Sequence, residues 1–298
     1  MILYNGASGG LGQYLAGSLD GLEESAHALN ARLEDQSGLA AELARLEPSG
    51  AVTFIHLAAR VSVPACEADP PGAFDTNVRL AGATVATVLD WASRCGASVR
   101  VMYVSSGHVY ASPPLGSRVA ESAPTLPRSV YAHTKLAAEQ AILTVTSQRS
   151  VPFLVARVFG LLSPRQAPNY VLPALIERAR SGNLNNVPGL DFARDYLDAR
   201  DVCDDLLLLS SAPWPEQSLV VNVCSGIAVT IRDLLGAVVA LVDPMRVDEV
   251  RDVAAAPGRP DDVRWLVGDS SRFIDLTGSP PQRIPLSRTV ADAVGGVG

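Results

Sequence analysis

The stretch NGASGGLG, residues 5–12, places four glycines in eight positions directly after the apolar run Ile2-Leu3-Tyr4. Behind it, Leu11, Leu15 and Leu19 recur every four residues, which is one face of a helix. The glycines therefore occupy a strand-to-helix turn. Gly6, Gly9 and Gly12 stand three apart, a spacing that permits a tight turn, close approach of the backbone to a pyrophosphate, and close packing of the helix on its sheet. The free N–H groups and positive dipole end at the start of such a helix favour an anion. A glycine turn alone is weak evidence, so the rest of the chain has to agree with it.

At 298 residues, 48% hydrophobic and 18% charged, the chain can bury one large α/β core or a main domain with a smaller lobe. A net charge of -7, with arginines scattered and no basic stripe, argues against a nucleic-acid partner. The longest apolar runs, DDLLLLSSA and LLGAVVALV, are too short for a membrane span, so no membrane partner is expected. With no signal-like stretch ahead of the first strand, a cytoplasmic location is expected. Cys66, Cys95, Cys203 and Cys224 are far apart, without a C-x-x-C pair or a histidine cluster, so buried thiols are expected and no metal site or disulfide framework.

Strand and helix patterns alternate through the first 160 residues, which predicts a doubly wound parallel sheet with helices on both faces. Strands are expected at 2–5, 26–29, 53–57, 100–104 and 153–158, and helices near 11–19, 38–46, 74–95 and 131–147. Residues 29–39 are short for this pattern, as if an edge strand or loop were missing. After residue 160, Pro-rich connections separate shorter elements: helices at 170–181, 199–210 and 231–242, and a strand at 219–223. Residues 1–160 thus read as a dinucleotide-binding Rossmann-type domain. Residues 161–298 read as mainly a smaller, substrate-binding C-terminal lobe with some segments returning to the main sheet. The last five residues, VGGVG, read as a frayed tail.

The chemistry concentrates in two segments. In SVYAHTKLAAEQAIL, residues 129–143, Tyr131 and Lys135 are four apart and share a helix face. A lysine held beside a phenol lowers the phenol pKa from its usual ~10 toward the working pH, as a general acid or base requires. Upstream, VRVMYVSSGHVYA is an apolar strand ending in Ser105-Ser106-Gly107. Catalytic groups of open α/β sheets gather at such strand ends, where a hydroxyl can orient a substrate carbonyl.

With the glycine turn, Ser106, and a Y-x-x-x-K twenty-five residues further on, the chain resembles the extended short-chain dehydrogenase/reductase family, also called the NAD-dependent epimerase/dehydratase family. The resemblance implies a catalytic set of Ser106, Tyr131 and Lys135, with Lys135 also on the nicotinamide ribose. It implies cofactor contacts from Gly6, Ser8, Gly9, Gly10, Leu11 and Gly12, from Leu57, Ala58 and Ala59 in FIHLAARVSV, and from Asn77, which matches a structural helix asparagine. Arg194 in RDYLDARDV and Arg259 in GRPDDVRWLVGDSSR match arginines that meet a nucleotide diphosphate, and Ser106 also belongs to the substrate site. His108 stands at an offset where relatives carry an extra acid or base, and is a tentative further catalytic residue. The chain departs from the family at Gly160, where many relatives have a substrate-contacting Asn. At the end of the second strand Asn30 replaces the carboxylate of an NAD enzyme, and Arg32 can pair with a 2'-phosphate. NADP is therefore expected over NAD, although Glu34 and Asp35 are close by. The implied function is an NAD(P)-dependent oxidoreductase of a nucleotide-activated sugar, foremost a 4-keto-6-deoxyhexose reductase. A nucleotide-sugar epimerase or dehydratase, and a non-catalytic dinucleotide-binding regulator, are the alternatives. The small-molecule partner would be the nucleotide sugar, and the assembly a homodimer.

Overall fold

A computed structural model describes residues 1–19, 25–48, 50–215, 217–258 and 262–296. The first half runs β1 (Ile2–Asn5), α1 (Gly10–Leu19), β2 (Ala26–Leu29), α2 (Gln36–Leu43), β3 (Ala51–His56), α3 (Val63–Ala68), α4 (Pro70–Phe74), α5 (Ala81–Cys95), β4 (Ser98–Ser106), α6 (Val130–Ser147) and β5 (Phe153–Val158). The second half runs β6 (Gly160–Leu162), α7 (Val171–Arg180), β7 (Val187–Pro188), β8 (Ala193–Arg194), β9 (Tyr196–Asp198), α8 (Ala199–Ser211), β10 (Leu219–Val223), β11 (Val229–Thr230), α9 (Ile231–Val242), β12 (Ala255–Ala256), β13 (Trp265–Leu266), α10 (Ser271–Thr277) and α11 (Leu286–Gly295).

The central sheet has the order β10-β5-β4-β3-β1-β2, with every pairing parallel. Side-chain alternation supplies both faces. Ile2, Tyr4, Met102, Val104, Leu154 and Ala156 pack with α1, α8 and α10, while Leu3, Val101, Tyr103, Phe153 and Val155 pack with α2, α5 and α6. Both faces are covered, which is why these strands read as apolar runs. The doubly wound α/β reading is correct, and α8 and β10 do return to the main sheet from beyond residue 160. A separate core holds α7, α9 and α11 together through Leu172, Leu175, Leu234, Val238 and Val290.

Local signals explain most boundaries. α6 starts where the Ser129 hydroxyl accepts from Ala132 N, and α5 ends at the left-handed Gly96. Three details depart from expectation. The expected 74–95 helix begins with wider, π-type turns at Asp75–Leu80, where Asn77 turns inward to bond its neighbours. α2 starts early because the Asp35 carboxylate caps it through Gly38 N at 2.8 Å, and β2 itself forms the sheet edge. Val294 and Gly295 continue α11 instead of fraying, since Arg180 Nη2 donates to Val294 O at 2.8 Å; residues 297 and 298 lie outside the described residues. Among the described residues, no helix is long and apolar enough to cross a membrane, and no group of His, Cys, Asp or Glu has the makings of a metal site.

Candidate active site

The glycine turn closes against the neighbouring strand end. Asn5 Oδ1 accepts from Leu57 N at 3.0 Å and Ala58 N at 3.1 Å, which ties β1 to the segment after β3. Gly6 has φ +76°, and a Cβ there would lie 2.8 Å from Ala58 N; one on Gly12 would lie 2.1 Å from Gly6 O. Only glycine fits either place. Ser8, Gly9 and Gly10 are exposed and Leu11 half-buried at the start of α1. A cavity of about 280 Å³ opens beside the turn, lined by Gly6, Ser8, Leu29, Asn30, Arg32 and Ala58. It lies where the strand order reverses around β1, the crevice in which open α/β sheets bind ligands. Ala59 continues the same half-buried segment. Unread from the sequence was Glu42, whose carboxylate accepts from Asn30 N and Ala31 N, each at 3.0 Å. It reaches that loop from α2, twelve residues away, and nothing local in the sequence marks it.

Ser106 ends β4 and faces α6, near enough to the Tyr131 phenol to lower its pKa, and its hydroxyl accepts from His108 N at 3.2 Å. Lys135 is buried, donates from Nζ to Val104 O at 2.8 Å and lies 4.9 Å from the centre of the Tyr103 ring. One expectation needs correcting. Burial pushes the Tyr131 phenol up to about 12, with the Ser106 hydrogen bond opposing it. Lys135 is turned to the β4 backbone, and its own pKa falls to about 8 through burial, partly restored by Glu139. Desolvation is the dominant influence on the phenol.

Glu139 was also missed. Its buried carboxylate pairs with Arg157 (Nη2–Oε2 2.6 Å, Nε–Oε1 3.1 Å) and accepts from the Ser105 hydroxyl. Its signal was four-residue spacing beyond Lys135, legible only once Arg157 and Ser105 are known to be adjacent. Asn77 has a scaffolding place: its amide accepts from Arg60 N at 2.7 Å and donates to Arg60 O and Thr134 Oγ1, each at 2.9 Å, behind the site.

On the other side of the crevice, His108 is half-buried within electrostatic range of Arg194 and Asp262. Burial, then Arg194, lowers His108 to about 4, so at neutral pH it is uncharged. Arg194 is nearly buried, with Asp262 3.9 Å away. Asp195, fully buried next to it, accepts from Ser225 N, Gly226 N and Gly268 N and so holds β8 in place. At Gly160 a Cβ would lie 2.9 Å from both Asp195 O and Tyr196 Cδ1, so the Asn of relatives has no room on this backbone. Arg259 lies outside the described residues. A larger cavity of about 490 Å³ adjoins β8 and β13, lined by Leu190, Phe192, Pro257, Arg264 and Trp265 among others.

Comparison with known proteins agrees with this geometry. The model of the NAD dependent epimerase/dehydratase family matches residues 2–224. The chain belongs to this family. It is 33% identical over 241 residues to the GDP-6-deoxy-D-mannose reductase of Pseudomonas aeruginosa, covering 76% of this chain and 74% of the relative. It is 29% identical over 266 residues to a UDP-glucose 4-epimerase of Mycolicibacterium smegmatis, covering 87% and 78%. Among solved structures, RMD from Pseudomonas aeruginosa complexed with NADPH superposes with TM-score 0.79 at 27% identity, over 99% of this chain and 98% of that one. As a member of this family of NAD(P)-dependent enzymes, the chain offers a dinucleotide a fitting cradle: two positions where any side chain would clash, a free helix N-terminus, and a cavity at the switch point.

Proposed function

We propose that the protein reduces the keto group of a nucleotide-activated 4-keto-6-deoxyhexose with NADPH. The observation that carries the reading is the placement of Ser106, at the end of β4, against Tyr131 of α6, with Lys135 buried alongside. A nicotinamide bound here would supply the hydride for the carbonyl carbon. Ser106 orients the carbonyl oxygen, and Tyr131 donates its phenolic proton to that oxygen as negative charge develops there, so ketone plus hydride plus proton gives the alcohol. A phenol held protonated suits this direction, because an alkoxide is a far stronger base than a phenolate. Lys135, buried and held by Val104 O, would hold the nicotinamide ribose and supply positive charge near Tyr131.

Glycines 6, 9, 10 and 12, with Ser8 and Leu11, would cradle the pyrophosphate. Leu57, Ala58 and Ala59 would line the ribose, and Arg32 would take the 2'-phosphate beside Asn30. Arg194 would meet the substrate's diphosphate, with Arg259 from the neighbouring segment, and the larger cavity with Phe192, Arg264 and Trp265 suits its base. Residues 1–160 then bind the cofactor, and the core around α7, α9 and α11 closes the substrate side. A soluble homodimer working in the cytoplasm, paired through α5 and α6, completes the proposal; light scattering tests the dimer.

The test is NADPH or NADH with GDP-, dTDP- and UDP-linked 4-keto-6-deoxyhexoses, following the reduced-nicotinamide absorbance. Net oxidation is expected, faster with NADPH. Interconversion of sugars without net cofactor change would replace the reductase by an epimerase or dehydratase, and binding without turnover by a regulator.

A further inference from the structure

Residues 163–170, between β6 and α7, have both ends tied to the dinucleotide machinery. At one end the Ser163 hydroxyl donates to Tyr14 Oη at 3.0 Å and accepts from Arg165 N at 3.1 Å. Tyr14 stands on α1 one turn beyond Gly10 and Leu11, and the Arg165 guanidinium lies over its ring, 5.4 Å from Cζ to the centroid. At the other end Tyr170, the residue ahead of α7, is near enough to Tyr131 to raise its pKa. The segment therefore reaches from the glycine-turn helix to the acid–base tyrosine. Those are the two points that a bound dinucleotide joins through its pyrophosphate and its nicotinamide ribose. Between them, Gln166 donates from Nε2 to Leu161 O at 2.8 Å, while its buried Oε1 has no partner.

We propose that Arg165 is a pyrophosphate-binding residue, carried by a strap that crosses the bound dinucleotide. The assignment rests on the dinucleotide reading above. Among the described residues, no carboxylate forms an ion pair with Arg165. Stacking on Tyr14 leaves the guanidinium edge, with its five N–H donors, free to bind. The helix N-terminus offers only about half a positive charge to a doubly charged pyrophosphate. A guanidinium adds a full charge and a bidentate fork, already held in place by the ring beneath it. Its role differs from that of Arg32: the 2'-phosphate belongs to NADP alone, whereas the pyrophosphate is common to NADP, NAD and ADP-ribose.

Calorimetric titration of Arg165→Gln with NADP+, NAD+, ADP-ribose and AMP tests this. The first three are expected to bind roughly 10- to 100-fold more weakly, by the same factor, while AMP is unchanged. Tyr14→Leu, which removes the supporting ring, is expected to reproduce several-fold of that loss, and Tyr14→Phe almost none. The thermal midpoint of ligand-free Arg165→Gln should match the wild type, since the side chain is exposed. Unchanged affinities, a loss confined to NADP+, or an equal loss for AMP would each overturn the assignment. A wild type that binds none of the dinucleotides would instead overturn the cofactor reading beneath it.

Discussion

At Tyr131 the desolvation of the phenol is the largest influence on its pKa. Tyr131→Phe keeps the ring and removes the proton. Turnover should fall ~10²- to 10⁴-fold while the NADPH dissociation constant, read by fluorescence, stays within about twofold. A variant retaining half the activity would end the acid–base assignment. Arg32 lines the cavity at the end of β2. Arg32→Ala should weaken NADPH by ~1.5 to 3 kcal/mol and NADH far less, because a charge-assisted hydrogen bond to the 2'-phosphate is lost. Equal losses for both cofactors would count against that pairing. His108 is neutral near pH 7 and sits beside Arg194, so it has no charge to lend to catalysis. His108→Asn is expected to leave reduction within a few-fold of wild type, and neither protein should exchange hydrogen next to the carbonyl in deuterated water. Exchange in the wild type that vanishes in the variant would make His108 an acid–base residue after all.

At the level of elements, the candidate site depends on the register of α6 against β4. Lys135 bonds Val104 O, Ser105 bonds Glu139, and Ser106 lies beside Tyr131, so successive residues of one strand end meet three side chains spaced four apart on one helix. Arg157 from β5 pairs with the Glu139 carboxylate and fixes its place under the helix. Lys135, lowered to about 8, is charged below that pH and neutral above it. If the charged form is required, kcat should decline as pH rises past about 8. Glu139 raises the Lys135 pKa, so in Glu139→Gln the decline should move to lower pH. A merely structural loss would lower kcat at every pH without moving the profile, and a pH series on both proteins separates the two. Of this register, the Tyr131–Lys135 pair was legible in the sequence because helical spacing alone puts both on one face. Glu139, Arg157 and Ser105 were not, because each acts across elements whose adjacency depends on the sheet order.

The whole molecule couples its stability to pH through buried groups. His56 is fully buried at the end of β3, bonds Asn5 through Nδ1 at 2.9 Å, and is lowered to about 3 by burial and by Lys135. An unfolded histidine takes up its proton near 6.5, so this contribution is complete above pH 6.5 and is lost as pH falls toward 3. Asp205 works the other way. Burial raises it to about 6 despite Arg283 at 3.2 Å, so the folded form gains a proton before the unfolded one as pH falls from about 6. Urea unfolding at pH 7.5 and pH 5.0 isolates the histidine. Wild type should lose about 2 kcal/mol more than His56→Gln over that interval. Equal losses would mean that His56 is not the group responsible.

By itself the sequence determined the layered α/β fold, the glycine turn, and the shared helix face of Tyr131 and Lys135, because these depend on local periodicity and on short spacings along one strand or one helix; Ser106 joined that pair only through the family resemblance. Gly6 and Gly12 were readable for the same reason: their steric demand arises within a single turn and the strand beside it. Tertiary structure alone decided the rest. The phenol's raised pKa follows from burial by surrounding elements, not from the four-residue distance to Lys135. Gly160 lacks the room for an Asn because β6 and β9 approach so closely. Glu42, Glu139, Arg157 and the Arg165–Tyr14 stack join residues from 11 to about 150 positions apart. Desolvation and long-range contact depend on which surfaces meet, and that is settled only when the chain has folded.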